Sequence, residues 1–180
     1  MPRYVALFRG INVGKAKRIA MADLRALLGK LGFTDVQTLL NSGNAVFTGD
    51  AEPPAKLAAR IQQAVLKKLG VDALVIIKSG KDVAGIIAGN ELRAVADDPA
   101  RLLVAVTNQG KTLASVRALA RADWGDERIH VGKHAAYLWC ANGILESKAA
   151  TALLKGLDGT GTTRNWATLN KIHALMEPKA

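Results

Sequence analysis

Residues 3–9, Arg3-Tyr4-Val5-Ala6-Leu7-Phe8-Arg9, alternate little between apolar and polar positions and are rich in β-formers. That pattern predicts a central strand, which leaves into a loop at Arg9-Gly10. From Ile11 to Ala20 the apolar periodicity stops, and Gly14 with the three basic residues Lys15, Lys17 and Arg18 predicts a loop. Leu24, Leu27, Leu28 and Leu31 then recur at helical spacing, with Asp23 in the first turn and Gly32 past the end. Phe33–Leu40 reads as a strand, Asn41-Ser42-Gly43-Asn44 as a turn, and Ala45–Thr48 as the returning strand. Pro53 and Pro54 open a helix with the stripe Leu57, Ile61, Val65 and Leu69, closed by Gly70. Val71–Lys78 completes a βαββαβ series.

A second series follows. Ser79 and Asp82 form the N-cap pair of a connecting helix that runs through Ile87 to Gly89-Asn90. Glu91–Pro99 is polar and irregular. The pattern then predicts a strand over Leu102–Thr107, a helix over Leu113–Ala120, and a strand over Glu127–Val131. Gly132-Lys133 turns the chain into a strand over Ala135–Cys140, and a helix follows over Leu145–Leu154. A Gly/Thr-rich loop from Gly156 to Thr162 leads to a last helix starting near Thr163, so that a closing strand is either short or replaced by that helix. Trp166, Leu169, Ile172 and Met176 make its apolar stripe, which casts Trp166 as a core anchor and Arg164 as the more exposed residue.

The fold class expected is therefore α+β: two ferredoxin-like halves with mainly antiparallel sheets, the second ending in extra C-terminal helices. The division is 1–78 for the N-terminal half, 79–100 for the connecting helix and linker, and 101–180 for the C-terminal half. In such a unit the strand order is 4-1-3-2, so strand one neighbours strand three. The loop leaving strand one then meets the hairpin joining strands two and three, and Arg9, Asn12, Asn41 and Asn44 are expected around one cleft at a sheet edge.

Charge sharpens this picture. The chain carries 25 Lys and Arg against 15 Asp and Glu, a formal net charge of +10. Residues 1–30 hold Arg3, Arg9, Lys15, Lys17, Arg18, Arg25 and Lys30 but a single acid, Asp23, so most of the surplus sits there. A concentrated positive region attracts phosphates and other anions, and it also solvates a surface. One cysteine, Cys140, excludes an intrachain disulfide and a cysteine-rich zinc cage. His130 and His134 flank the Gly132-Lys133 turn without a further cluster of ligands, so no metal and no cofactor are expected. With no long apolar run and no signal-peptide pattern, the expectation is a cytoplasmic protein without a membrane partner.

Candidate chemistry centres on the first loop. Arg9-Gly10-Ile11-Asn12-Val13-Gly14-Lys15 offers a guanidinium, an ammonium, an amide and two glycines that let backbone approach a ligand, which suits an oxyanion or phosphate. It lacks the Walker spacing, and Ala16 follows Lys15. The bland alternative is a loop whose glycines serve turns and whose Asn12 caps its own backbone. Asn41, Ser42 and Asn44 either brace a tight hairpin or present donors and acceptors to a ligand held by Arg9 and Lys15. Ser42 lacks both a Gly-x-Ser-x-Gly elbow and an assignable histidine base. A second, weaker group is Ser147, Lys148, Arg164 and Asn165, at two helix starts where hydroxyls cap N–H groups and anions also bind.

These segments resemble an uncharacterised bacterial domain-of-unknown-function family. The resemblance rests on Tyr4-Val5-Ala6-Leu7 with Arg9-Gly10-Ile11-Asn12-Val13-Gly14, on Asn41-Ser42-Gly43-Asn44, on Gly143-Ile144 with Ser147-Lys148, and on Thr162-Thr163-Arg164-Asn165-Trp166. It spans essentially the whole chain and implies a two-part α+β fold and a cytoplasmic bacterial protein, with no established activity. The chain departs from the family pattern at Lys15, where a second glycine is common, at Ala20, where proline is common, and at Leu145-Glu146, where Gly-Arg is common. The last change sets an acid beside Ser147-Lys148.

Three functions fit this sequence. The favoured one is binding of a phosphate-bearing small molecule or a nucleic-acid backbone at the basic glycine-containing loop. Base-specific RNA readout is disfavoured, because aromatic residues are only 4% of the chain and Phe47 alone stands on the third strand. The others are an enzyme acting on an anionic small molecule and an oligomeric interaction module. The sequence leaves the oligomeric state open.

Overall fold

A computed structural model describes residues 1–177. The chain forms β1 (Arg3–Phe8), α1 (Met21–Lys30), β2 (Thr34–Leu39), β3 (Asn44–Thr48), α2 (Pro54–Leu69), β4 (Val75–Ser79) and α3 (Gly80–Ala88). It continues with β5 (Leu102–Thr107), α4 (Gly110–Ser115), β6 (Arg128–Val131), β7 (Ala136–Trp139), α5 (Lys148–Gly156), β8 (Gly161–Asn165) and α6 (Trp166–Met176). Two antiparallel four-stranded sheets result, β2-β3-β1-β4 and β6-β7-β5-β8. Both have the order 2-3-1-4 within their own βαββαβ series, so the α+β fold with two similar halves is as expected. By contacts, one unit comprises Met1–Val83 with the segment from Ile172 onward, and the other Ala84–Lys171.

In the first unit, Tyr4, Ala6 and Phe8 of β1 share a core with Ala45 and Phe47 of β3 and Val75 and Ile77 of β4. Leu24 and Leu28 of α1 and Leu57, Ile61 and Val65 of α2 close that core. The alternate residues Val5, Leu7, Val46 and Ile76 are buried as well. This explains why the β1 sequence does not alternate: neither of its faces meets water. Helix α2 starts at Pro54 and stops at Gly70, whose φ of 69° is the left-handed cap conformation, and Gly70 N–H donates to Leu66 O.

In the second unit, Leu103 and Ala105 of β5 pack with Ala136 and Leu138 of β7, Leu113 of α4, and Ala149 and Leu153 of α5. Four expectations are corrected, three of them in this unit. The helix expected over Leu113–Ala120 is the short α4 followed by a 3-10 stretch over Val116–Arg121. The helix expected from Leu145 starts at Lys148, because Ser147 takes the N-cap and its hydroxyl accepts from Ala150 N–H at 2.9 Å. Most important, Gly161–Asn165 is the closing strand β8, paired along β5, and not a loop running into a helix at Thr163. The segment Val71–Leu74, expected to be strand, is irregular.

Ser79 and Asp82 form a reciprocal capping box at the start of α3: Asp82 N–H donates to Ser79 Oγ at 3.2 Å and Ser79 N–H to Asp82 Oδ2 at 2.9 Å. Trp166, Leu169, Ile172 and Met176 are all buried, as the stripe predicts. Arg164 is buried to the same degree, which removes the expected contrast with Trp166. As residue four of β8 it pairs with Val104 of β5 rather than standing on a solvent-facing helix turn, and its Nη1 donates to Thr162 Oγ1 and Thr163 O.

Candidate functional site

The loop leaving β1 and the β2–β3 hairpin meet, because β1 and β3 are adjacent in the sheet. Phe8 N–H donates to Gly43 O at 2.9 Å, which ties the hairpin to the end of β1. Gly43 has φ of +90°, and a Cβ there would lie 2.5 Å from Ile11 Cδ1 and 2.8 Å from Phe8 Cβ. The glycine of Asn-Ser-Gly-Asn is thus required twice, by its backbone conformation and by the side chains beneath it.

Asn12 knits the loop together. It adopts φ of +55°, and its Nδ2 donates to Ile19 O at 2.9 Å and Asn41 O at 2.8 Å. Its Oδ1 accepts Ile19 N–H at 2.8 Å. Both amide hydrogens of Asn12 therefore serve the protein's own carbonyls, and they hold the loop closed on itself and against the hairpin. Asn44 is buried at the start of β3, where its Nδ2 donates to Leu39 O at 2.7 Å and reaches Ser42 Oγ at 3.3 Å. Ser42 and Asn41 are exposed.

Beside this knot lies a cleft of about 340 Å³ lined by Asn12, Arg18, Ile19, Ala20 and Asn41. Arg18 lends the positive charge, and its Nη1 donates to Gly14 O at 3.0 Å. Ala20 is the residue preceding α1, and no side chain caps the helix there. Ala20 lines the cleft, so the start of α1 borders it with no side-chain cap, and the first turn carries one acid, Asp23. Of the residues expected to share one cleft, Asn12 and Asn41 line it and Arg9 and Asn44 do not. Arg9 is half-buried at the end of β1, its N–H donating to Leu74 O at 2.9 Å, and Lys15 is exposed further along the loop. Arg18 escaped the motif reading. Its signal was available: it is the basic residue three positions before Met21, which starts the helix.

The second group separates into structural tasks. Ser147 is buried at the N-cap of α5 and donates its hydroxyl to Glu127 Oε2 at 2.5 Å, while Ala149 N–H donates to Glu127 Oε1 at 3.4 Å. Glu127 is itself buried, so α5 carries an internal carboxylate at its N-terminus. Cys140 lies in the same core, and its thiol is pushed up by burial, with the Ser147 hydrogen bond opposing and the Glu127 charge adding. Asn165 caps α6, accepting Thr168 N–H at 2.9 Å, and Lys148 is exposed. Burial lowers the Arg164 guanidinium to about 10, still cationic at neutral pH. Burial also pushes the Lys78 ammonium below its ordinary range, with Asp82 acting the other way. His130 stacks on Tyr137 at 5.8 Å, and among the described residues no group of three or more His, Cys, Asp or Glu side chains could hold a metal ion. Nor is any helix among them long and apolar enough to cross a membrane.

Residues 1–137 match the model of the family described as Protein of unknown function (DUF1697). The chain is also similar to a solved structure entitled a conserved bacterial protein, SP0830, from Streptococcus pneumoniae, at 26% identity and a TM-score of 0.77. That likeness covers 98% of this chain and 99% of the other. No curated protein matches this chain. With the family model spanning most of its length, the chain belongs to the DUF1697 family.

Proposed function

We propose that this protein binds a phosphate-bearing or similarly anionic ligand at the cleft between the β1–α1 loop and the β2–β3 hairpin. The observation that carries the reading is the uncapped N-terminus of α1, opening at Ala20 onto a cleft that Arg18 lines. A helix N-terminus supplies N–H donors and a partial positive charge, and a guanidinium can grip two oxygens of one phosphate. The cleft's size is at the small end of ligand sites, which suits a phosphate group or a nucleotide-sized molecule bound in part. Lys15 and Arg9 contribute field: Lys15 is a mobile charge on the same loop, and Arg9 stands where the loop begins. Asn12 and Asn44 support the site by fixing the loop and hairpin, and Asn41 and Ser42 are the polar groups at its exposed rim.

The test is titration calorimetry with inorganic phosphate, ADP and a short single-stranded oligonucleotide at several salt concentrations. At least one of the three is expected to bind, with affinity falling as salt rises. Arg18→Ala is expected to weaken it by about tenfold or more, as loss of a charged hydrogen bond does. The Arg9→Ala, Lys15→Ala double variant is expected mainly to flatten the salt dependence. Binding that ignores Arg18→Ala removes the ligand from this cleft, and no binding of any probe by the wild type ends the proposal.

A further inference from the structure

A larger groove runs along the first unit's helical layer. Its volume is about 650 Å³, and its walls are α1 and α2. Ala26, Leu27 and Leu31 from the α1 side and Ala64 and Leu69 from α2 form an apolar floor, where the two alanines leave space that longer side chains would fill. Arg60 Nη2 donates to Leu31 O at 3.1 Å, so the early turns of α2 meet the end of α1 and the helices run antiparallel. The groove residues Asp23 to Lys30 on α1 and Arg60 to Lys67 on α2 each span seven positions, about 10 Å of helix.

Cations stand at both ends of that length: Lys30 beside Arg60 at one, Lys67 and Lys68 at the other. Arg60 is already committed, its Nη1 2.6 Å from Glu52 Oε1 and its guanidinium 4.6 Å from the Phe33 ring centroid. Lys30, Lys67 and Lys68 are exposed, and none has an ion pair among the described residues. Among the described residues the acid lining the groove is Asp23, which the antiparallel run sets at the Lys67 and Lys68 end, where it offsets one of those two charges. The C-terminal dipoles of α1 and α2 offset about one charge between them, so the rim remains positive.

We infer that this groove docks an acidic amphipathic helix of a partner protein, two turns long, with apolar residues toward the floor and a carboxylate at each end. An extended sugar-phosphate backbone would leave the apolar floor unmatched, and a single-headed acyl anion would satisfy only one of the two charged ends. The recognition is that of a helix in a groove, with i, i+3, i+4 and i+7 anchors and electrostatic selection at the rim.

The experiment is fluorescence anisotropy of the full chain with a labelled helical peptide of about 14 residues, leucines on one face and glutamates about two turns apart. Controls are a scrambled peptide of the same composition and dodecanoate as an acyl competitor. The patterned peptide is expected to bind saturably and the scrambled one at least about tenfold more weakly. The Lys30→Glu, Lys67→Glu, Lys68→Glu triple variant is expected to lose about tenfold or more in affinity, whereas Arg18→Ala, in the separate cleft, leaves it unchanged. Ala26→Arg gives an independent check, since it obstructs the floor while adding positive charge, and it is expected to weaken binding as well. Equal binding of both peptides, or patterned binding that survives both the triple variant and Ala26→Arg, overturns the inference. So does dodecanoate binding that the triple variant abolishes in the absence of peptide binding, since the occupant would then be an acyl anion.

Discussion

The two units build the same strand order with different links after their first strand. In the second unit only Asn108 and Gln109 separate β5 from α4. In the first, residues 9–20 intervene between β1 and α1, with Asn12, Gly10, Gly14 and Lys17 all in left-handed backbone conformation. A βαββαβ sheet therefore closes without any such loop. The long basic segment is an addition to the fold, held in a specific shape by the Asn12 hydrogen bonds, and surplus ordered loop on a stable scaffold is where binding residues concentrate. The helix starts differ in the same sense. Helix α5 starts on a buried carboxylate, Glu127, and a hydroxyl cap from Ser147, whereas α1 has no side-chain cap at Ala20 and carries its acid, Asp23, within the first turn.

The largest expected effect comes from removing the internal anion. Glu127→Ala strips the acceptor from the buried Ser147 hydroxyl and from Ala149 N–H, and it is expected to destabilise the protein by about 3 kcal/mol. Chemical denaturation measures it. A loss below about 1 kcal/mol would mean that α5 does not depend on its carboxylate, and the contrast with α1 would dissolve.

Gly43→Ala tests the other side, the hairpin that supports the loop. Positive φ and the overlap with Ile11 and Phe8 together are expected to cost about 2–3 kcal/mol. Hydrogen exchange should show the loss of protection at residues 9–20 as well as in the hairpin, because Asn12 ties the two together. An unchanged melting temperature would show that the hairpin can shift freely, and that the motif glycine has no packing role.

Next in size is a property confined to the second unit. Tyr137 is fully buried and its hydroxyl donates to Ile86 O at 2.6 Å. Burial pushes the phenol up to about 12, with Arg93 acting in the opposite direction. The folded state thus holds the proton more tightly than the unfolded chain, whose phenol titrates near 10. This contribution is fully present below pH 10 and is lost as pH rises to about 12, a fall of about 2 kcal/mol across that window. Arg164, lowered by burial to about 10, works against it, because there the unfolded chain is the better proton binder. Comparing Tyr137→Phe with wild type isolates the tyrosine: the variant's alkaline decline should be shallower by that amount. Parallel stability curves from neutral pH to pH 12 would show that the phenol ionises without penalty.

Periodicity made the first sheet's topology and three strands of the second legible, since apolar runs and Gly or Pro stops report burial and chain reversal directly. Strand β8 was hidden because Gly161-Thr162-Thr163-Arg164-Asn165 contains no large apolar residue; its partner β5, not its own pattern, makes it a strand. Leu145 raised a false helix start, and it is exposed in a turn ahead of the Ser147 cap. At the candidate site, motif reading found the loop and hairpin but mixed two kinds of residue. Asn12, Gly43 and Asn44 shape the backbone, while Arg18, which falls outside the Arg-Gly-Ile-Asn-Val-Gly signature, lines the cleft. Which side chain in a polar loop faces the protein is decided by tertiary hydrogen bonds, and these leave no periodic trace.

The smallest change gives the sharpest test of the comparison between helix starts. Ala20 precedes α1 with φ −70° and ψ 133°, the extended conformation of an N-cap residue, and it is exposed, so a carboxylate can be added without repacking. Ala20→Asp would give α1 what α5 already has, an internal acceptor for its first N–H groups. The substitution is expected to stabilise the protein by about 1 kcal/mol, measurable by denaturant titration. The same carboxylate would occupy the donors offered to a bound anion and repel it, so phosphate or nucleotide affinity should fall by about tenfold or more. Stability and binding then move in opposite directions, which separates this outcome from simple misfolding, where both decline. Ala20→Ser makes the contrast finer, because its neutral hydroxyl caps the helix while adding no repulsion. Binding is expected to weaken less with serine than with aspartate. If aspartate stabilises α1 and leaves binding untouched, the helix N-terminus is not where the anion sits.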